Sequence, residues 1–146
     1  MNTNNVKLAD KLNKLLADYQ IYYQNLRGLH WNVKGVKFFM LHEKYEEYYD
    51  EAAETIDEIA ERILMIGGKP LHSYDAYLQT AELKEAEYIT DGKQGVELVL
   101  ENSRYLLSCF NEIIETAQGD EGTTALMSDL ICNTEKRIWM LESFLA

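Results

Sequence analysis

The sequence predicts an all-α chain, a four-helix bundle in one domain spanning residues 1–146, with a long crossover carrying a short helix between the second and third helices. Three observations carry that prediction. The single proline and eight glycines gather at a few places instead of scattering through the chain. Between those places apolar residues recur at spacings of three and four, and no segment shows the period-two alternation of a strand. With 47% hydrophobic and 27% charged residues in 146, the chain has apolar material for one packed core and too little polar bias for disorder.

The first segment carries the stripe Leu8, Leu12, Leu15, Tyr19, Tyr22, Leu26 and Leu29, and Gly35 closes it. Gly28 alone lies inside a periodic run, where a glycine weakens a helix or marks a close packing contact. The second stripe runs Tyr45, Tyr49, Ala52, Ile56, Ile59, Ile63 and Ile66, and Gly67-Gly68-Lys69-Pro70 ends it. Leu71 to Thr90 is too long for a hairpin and suits a crossover along the bundle, with Ser73 capping a short helix over Tyr74 to Gln79. Gly92 and Gly95 bracket the start of the third stripe, Val96, Val99, Ser103, Leu106, Phe110, Ile113 and Ala117. After Gly119 and Gly122 comes the fourth: Met127, Ile131, Thr134, Ile138, Leu141 and Leu145. Four helices of roughly 25 to 30 residues, each with one apolar stripe, bury those stripes as a bundle. A long connection makes the second and third helices parallel, which is ferritin-like connectivity.

Composition excludes several functions. Twenty-five acids against 14 lysines and arginines give a net charge of −11, which argues against a freestanding nucleic-acid binder, since phosphate affinity needs basic patches. The opening Met1-Asn2-Thr3-Asn4-Asn5 lacks the pattern of a secretory leader, and no apolar run approaches the ~18 residues of a membrane span, so a soluble cytoplasmic protein is expected. Cys109 and Cys132 have no CxxC spacing and are expected to be buried small apolar residues.

The chemistry concentrates around the second helix. His30 ends the first helix and His42 begins the second, which then offers Glu46 four residues later and, further on, Asp57 and Glu61, also four apart. Spacing of four puts each pair on one face. The midpoints of the pairs His42/Glu46 and Asp57/Glu61 lie 15 residues apart, roughly 22 Å at ~1.5 Å per residue, too far for one metal site. At ~100° per residue the two pairs nevertheless share a flank of the helix. Two copies packed antiparallel about a twofold axis would bring His42 and Glu46 of one chain to Asp57 and Glu61 of the other, forming two equivalent sites. Both pairings share a centre between Glu51 and Ala52, where Ala52 and Ala53 are small enough for close approach. His30 would complete the imidazole pair. Nitrogen and carboxylate donors together suit iron, with zinc, cobalt or manganese in competition. Spacing alone leaves a second reading open, in which the histidines line a turn and the acids are ordinary surface.

Two rival chemistries fail sooner. His42-Glu43-Lys44-Tyr45-Glu46 begins like a zinc-protease HExxH, but Glu46 stands where the second histidine belongs. A di-iron site inside the bundle needs Glu-x-x-His on two helices, and Arg27, Phe39 and Lys69 stand three residues before the three histidines.

The tract Leu29-His30-Trp31-Asn32-Val33-Lys34-Gly35, Phe38-Phe39-Met40-Leu41-His42 and Asp57-Glu58-Ile59-Ala60-Glu61-Arg62 closely resembles the Dps family of bacterial mini-ferritins. The likeness extends over nearly the whole chain, including the Trp139-Met140-Leu141 segment. The resemblance implies a homododecameric shell with iron-oxidising sites at its twofold interfaces. It implies that His30, His42, Asp57 and Glu61 are ligands and catalytic residues, and that Glu46 is a ligand where the family often has Asp. Trp31 matches the family's tryptophan near the iron, although an amphipathic ring packed at an interface explains it equally. The implied reaction is ferroxidase chemistry, Fe(II) to Fe(III) with hydrogen peroxide preferred and oxygen slower, followed by storage of ferric mineral and protection against oxidative stress. Asp120 and Asp129 match positions facing threefold pores; without the resemblance, Asp120 favours a helix dipole and Asp129 is plain surface. Only Lys7, Lys11 and Lys14 occupy the first turns and the chain stops at Ala146, so DNA binding is expected to be weak or absent. The alternatives are a structural or metal-buffering assembly without turnover and a DNA-compacting protein.

Overall fold

A computed structural model describes residues 2–146 and shows five helices: α1 (Thr3–Asn32), α2 (Phe38–Met65), α3 (Tyr74–Thr80), α4 (Gly92–Thr116) and α5 (Glu121–Leu145). The long four form the bundle, and the short α3 lies in the crossover, capped by Ser73, whose hydroxyl accepts from the Ala76 N–H at 3.3 Å. Asn2, Asp91 and Asp120 cap α1, α4 and α5 in the same way, each accepting from an N–H three residues on and satisfying a donor that the first helical turn leaves free. Gly35, at φ +114°, makes the turn from α1 to α2, in a conformation that costs a side chain dearly.

Polar side chains of α1 fix the path of the crossover. Asn13 donates to the Lys69 carbonyl and accepts from Leu71 N–H. One carboxylate oxygen of Asp18 accepts from the N–H groups of Glu82 and Leu83 at 2.7 and 2.9 Å. Asn25 accepts from Ala86 N–H and donates to Lys84 O, and beyond the helix Lys34 N–H reaches Thr90 O. The crossover therefore runs beside α1 from its beginning to its end, and α4 starts at the end of the bundle where α2 starts. Gly92 confirms this, since a Cβ there would stand 2.8 Å from Leu41. Helices α2 and α4 are parallel, as the length of the connection requires.

The first and third stripes are buried in full. In the second, Tyr49 and Ile56 are only half-buried, and Leu41 and Thr55 join the core. The fourth departs most from expectation: Ile131, Ile138 and Leu145 are half-buried, whereas Thr123, Leu130 and Arg137 lie inside. Arg137 turns inward because partners await it. Its Nε donates to Ser103 at 2.9 Å and its guanidinium lies over the Tyr22 ring at 5.4 Å. Two further expectations are corrected, and one of two alternatives is removed. Cys109 is buried but Cys132 is exposed, because it lies on the outer face of α5 with Asp129. Ala52 packs into the core, so of the two alanines only Ala53 faces outward. A Cβ on Gly28 would meet nothing within 4 Å, so of the two readings of this glycine a close packing contact within the chain falls away. Among the described residues no helix is long and apolar enough to cross a membrane.

Candidate metal centre

The α1–α2 turn brings His30 and His42 face to face. Their rings stack with centroids 3.7 Å apart and planes 12° apart, and Phe38 covers the other face of His42 at 4.9 Å. Tyr49 meets His30 edge-on at 5.2 Å. Each imidazole is also tied to the other's backbone: His30 Nδ1 donates to His42 O at 2.6 Å, and His42 Nδ1 to His30 O at 2.8 Å. A carbonyl can only accept, so both Nδ1 atoms carry a proton, and in the neutral imidazoles this leaves the Nε2 atoms as the ones able to bind a metal. This is the arrangement that orients imidazoles as metal ligands.

Glu46 joins them from the next turn of α2, with Oε1 3.6 Å from His30 Nε2. That is too long for a hydrogen bond, but two donors bound at ~2.1 Å to one ion stand about 3.0–3.6 Å apart. His30 and Glu46 therefore offer one nitrogen and one oxygen donor at a spacing that a single cation can bridge, a fragment of a site that the chain by itself does not complete. His30 is 8% exposed at its side chain and Glu46 54%, so the imidazoles are held rigidly while the carboxylate can swing.

Asp57 and Glu61 lie on the same uninterrupted helix and are exposed. Among the described residues neither carboxylate has a hydrogen-bond or ion-pair partner, and no group of three or more His, Cys, Asp or Glu within the chain could hold a metal ion. The chain thus stacks His30 on His42 and sets Glu46 near His30, and leaves Asp57 and Glu61 about four turns away on the same flank. His72 is exposed and lies apart, after the turn that follows α2.

Trp31 is 56% exposed and points away from the core, with the Arg27 guanidinium 5.0 Å from its ring. Asp120 does more than favour a dipole. Its carboxylate accepts from the Thr123 N–H at 3.2 Å and from Thr123 Oγ1 at 3.1 Å, and it pairs with Arg62 of α2 at 2.8 Å. Asp129 is exposed on α5. Phe38 and Tyr49, which frame the imidazoles, were not among the residues expected at the site. The signal for Phe38 was its position four residues before His42, one helical turn away.

Comparison with known proteins identifies the family. Residues 9–146 match the family model described as a ferritin-like domain. DNA protection during starvation protein 2 of Bacillus anthracis is 41% identical over 143 residues, covering 97% of this chain and 98% of that protein. The Dps protein of Vibrio cholerae O1, described as a member of a broad superfamily of ferritin-like diiron-carboxylate proteins, superposes with a TM-score of 0.97 at 46% identity, over 99% of this chain and 92% of that one. A Dps protein from Bacillus brevis superposes equally well, with a TM-score of 0.97 at 36% identity over 100% and 99% of the two chains. By sequence and by fold, the chain belongs to the Dps family of ferritin-like proteins.

Proposed function

We propose that the protein is an iron-storing mini-ferritin that oxidises Fe(II) at sites shared between two subunits. The observation that carries this reading is the divided donor set: two imidazoles with free Nε2 atoms and a carboxylate at one end of α2, and two unpartnered carboxylates at the other. Antiparallel packing of two α2 helices joins the halves, giving His30, His42 and Glu46 from one chain and Asp57 and Glu61 from its partner. The exposed side chains of Trp31, Phe39, Met40 and Leu64 around the two half-sites favour such a contact, since apolar side chains gathered on a surface mark an interface.

Fe(II) is the substrate. Two ferrous ions supply two electrons to one hydrogen peroxide; the O–O bond breaks, two protons are taken up and two waters leave. A single ferrous ion supplies only one electron and leaves hydroxyl radical. The carboxylates stabilise the more highly charged ferric product. Peroxide is the preferred oxidant and oxygen the slower one. Ferric ions accumulate as mineral within a dodecameric shell in the cytoplasm, and Asp129 is the better placed of the two aspartates to draw Fe(II) through a threefold pore, because Asp120 is engaged by Arg62 and Thr123. Zinc, cobalt and manganese compete for the same donors.

Chain mixing tests the shared site. His42→Ala and Asp57→Ala shells are each expected to lose the rapid phase of peroxide-dependent Fe(II) oxidation. Co-assembly of the two in equal amounts places one intact site in every mixed pair and restores the rapid phase to about a quarter of the wild-type sites, by random pairing about the twofold. No restoration would reject a site built from two chains. Fe(II) oxidation by peroxide at the protein-free rate in the wild-type shell would favour a metal-buffering assembly instead.

A further inference from the structure

The outward flank of α2 reads the same from both ends. Phe39, His42, Glu46, Asp50, Ala53, Asp57, Glu61 and Leu64 follow one another at steps of 3, 4, 4, 3, 4, 4 and 3. An antiparallel twofold centred between Glu51 and Ala52 sets each residue opposite the one equally distant from the centre on the other chain. His42 then faces Glu61, and Glu46 faces Asp57, which are the donor pairs of the proposed site. Asp50 faces Ala53, a large side chain against a small one. The remaining pair is Phe39 and Leu64, both large and apolar, and both exposed in the single chain, at 83% and 59%.

Each lies one turn beyond a donor, Phe39 before His42 and Leu64 after Glu61. Phe39 is also held in place: its ring meets Phe38 edge-on at 5.4 Å, and Phe38 stacks on His42. An apolar wall therefore runs from the stacked imidazoles through Phe38 to Phe39 and stops at an unpartnered ring. We propose that Phe39 of one chain packs against the partner subunit's Leu64 and closes the end of each iron site remote from the twofold axis, keeping bulk water from the bound Fe(II). This rests on the shared-site reading and adds to it a pair of positioning residues that bind no metal.

Both side chains are exposed in the single chain, so their replacement leaves the fold of each subunit intact. With Phe39→Ala or Leu64→Ala, removal of Fe(II) from anaerobically loaded shells by a ferrous chelator should quicken several-fold. The double variant should be no faster than the quicker single one, because both changes open the same contact. A second arm tests the pairing itself. Phe39→Arg and Leu64→Asp should each weaken subunit association seen by native mass measurement, and the double variant, which sets opposite charges across the contact, should regain it. Unchanged chelation rates, or failure of the charge pair to restore association, would overturn the proposal. If chain mixing restores oxidation while the charge pair fails, the Phe39 contact falls and the shared site stands; if mixing fails as well, both fall.

Discussion

The hydroxyl of Tyr45 is buried between α2 and α4 and has no hydrogen-bond partner, yet the chain makes room for it. A Cβ on Gly95 would lie 2.6 Å from that oxygen, so glycine is kept at a helical position where it costs about 1 kcal/mol relative to alanine. Gly95→Ala should therefore destabilise the protein by about 1–3 kcal/mol through overpacking. Tyr45→Phe removes both the clash and an unsatisfied polar atom, and should leave stability unchanged or improved. In the Tyr45→Phe background Gly95→Ala should become stabilising, a sign reversal that thermal denaturation at fixed protein concentration would register. The imidazoles show the opposite economy, since both Nδ1 atoms and both faces of His42 are used. That leaves the Nε2 atoms as the free chemical handles.

Among the elements, the crossover depends most on side chains. Asp18 is fully buried and accepts four donors: two backbone N–H groups of the crossover, the Tyr105 hydroxyl at 2.6 Å and Lys14 at 3.4 Å. Removing a charged acceptor of this kind leaves its donors unsatisfied, and Asp18→Ala should cost about 3 kcal/mol. Hydrogen exchange at the Glu82 and Leu83 amides should accelerate far more than in the middle of α2. Unchanged exchange would show that the crossover is held by its apolar contacts alone. Helix α2 carries two duties on two faces, with Leu41, Tyr45, Ala52, Ile59 and Ile63 inward and the donors outward. At its far end Arg62 ties it to the cap of α5 through Asp120, fixing how the two helices meet.

At the scale of the whole molecule two charges matter, the net charge of the chain and the charges the core refuses. With −11 per chain, the proposed shell would repel a phosphate backbone, and no retardation of duplex DNA is expected at physiological salt in the absence of divalent metal. Tight binding there would contradict the reading. Native mass measurement should find about 200 kDa, twelve chains of 16.9 kDa. Inside, burial raises the hydroxyls of Tyr19, Tyr22, Tyr45 and Tyr105 above their ordinary value of 10.0, and pushes Tyr48 up to about 12. The folded chain thus keeps protons that the unfolded chain releases. Stability is fully present below pH 10, and is lost as pH rises through 10 toward the higher folded values. Alkaline unfolding should accordingly begin near pH 10, and spectroscopic titration of phenolate should coincide with loss of helicity.

The helices, their breaks and most of the core were legible because periodicity is local: neighbours three and four apart share a face whatever the rest of the chain does. The Ser73 cap and the course of the crossover followed from the same local chemistry, and the histidines and carboxylates were legible as two pairs on one flank. What the residue order could not specify was contact between distant segments. Arg137 reads as surface until Ser103 and Tyr22 stand beside it, Asp18 as a helix acid until the crossover arrives, and Asp120 as a free carboxylate until Arg62 reaches it. The sequence by itself determined that the candidate donors fall into two pairs on one flank of α2, too far apart for one chain to join. Only tertiary structure decided how the imidazoles are oriented, because the α1–α2 turn stacks two rings whose ring protons are then fixed by each other's backbone.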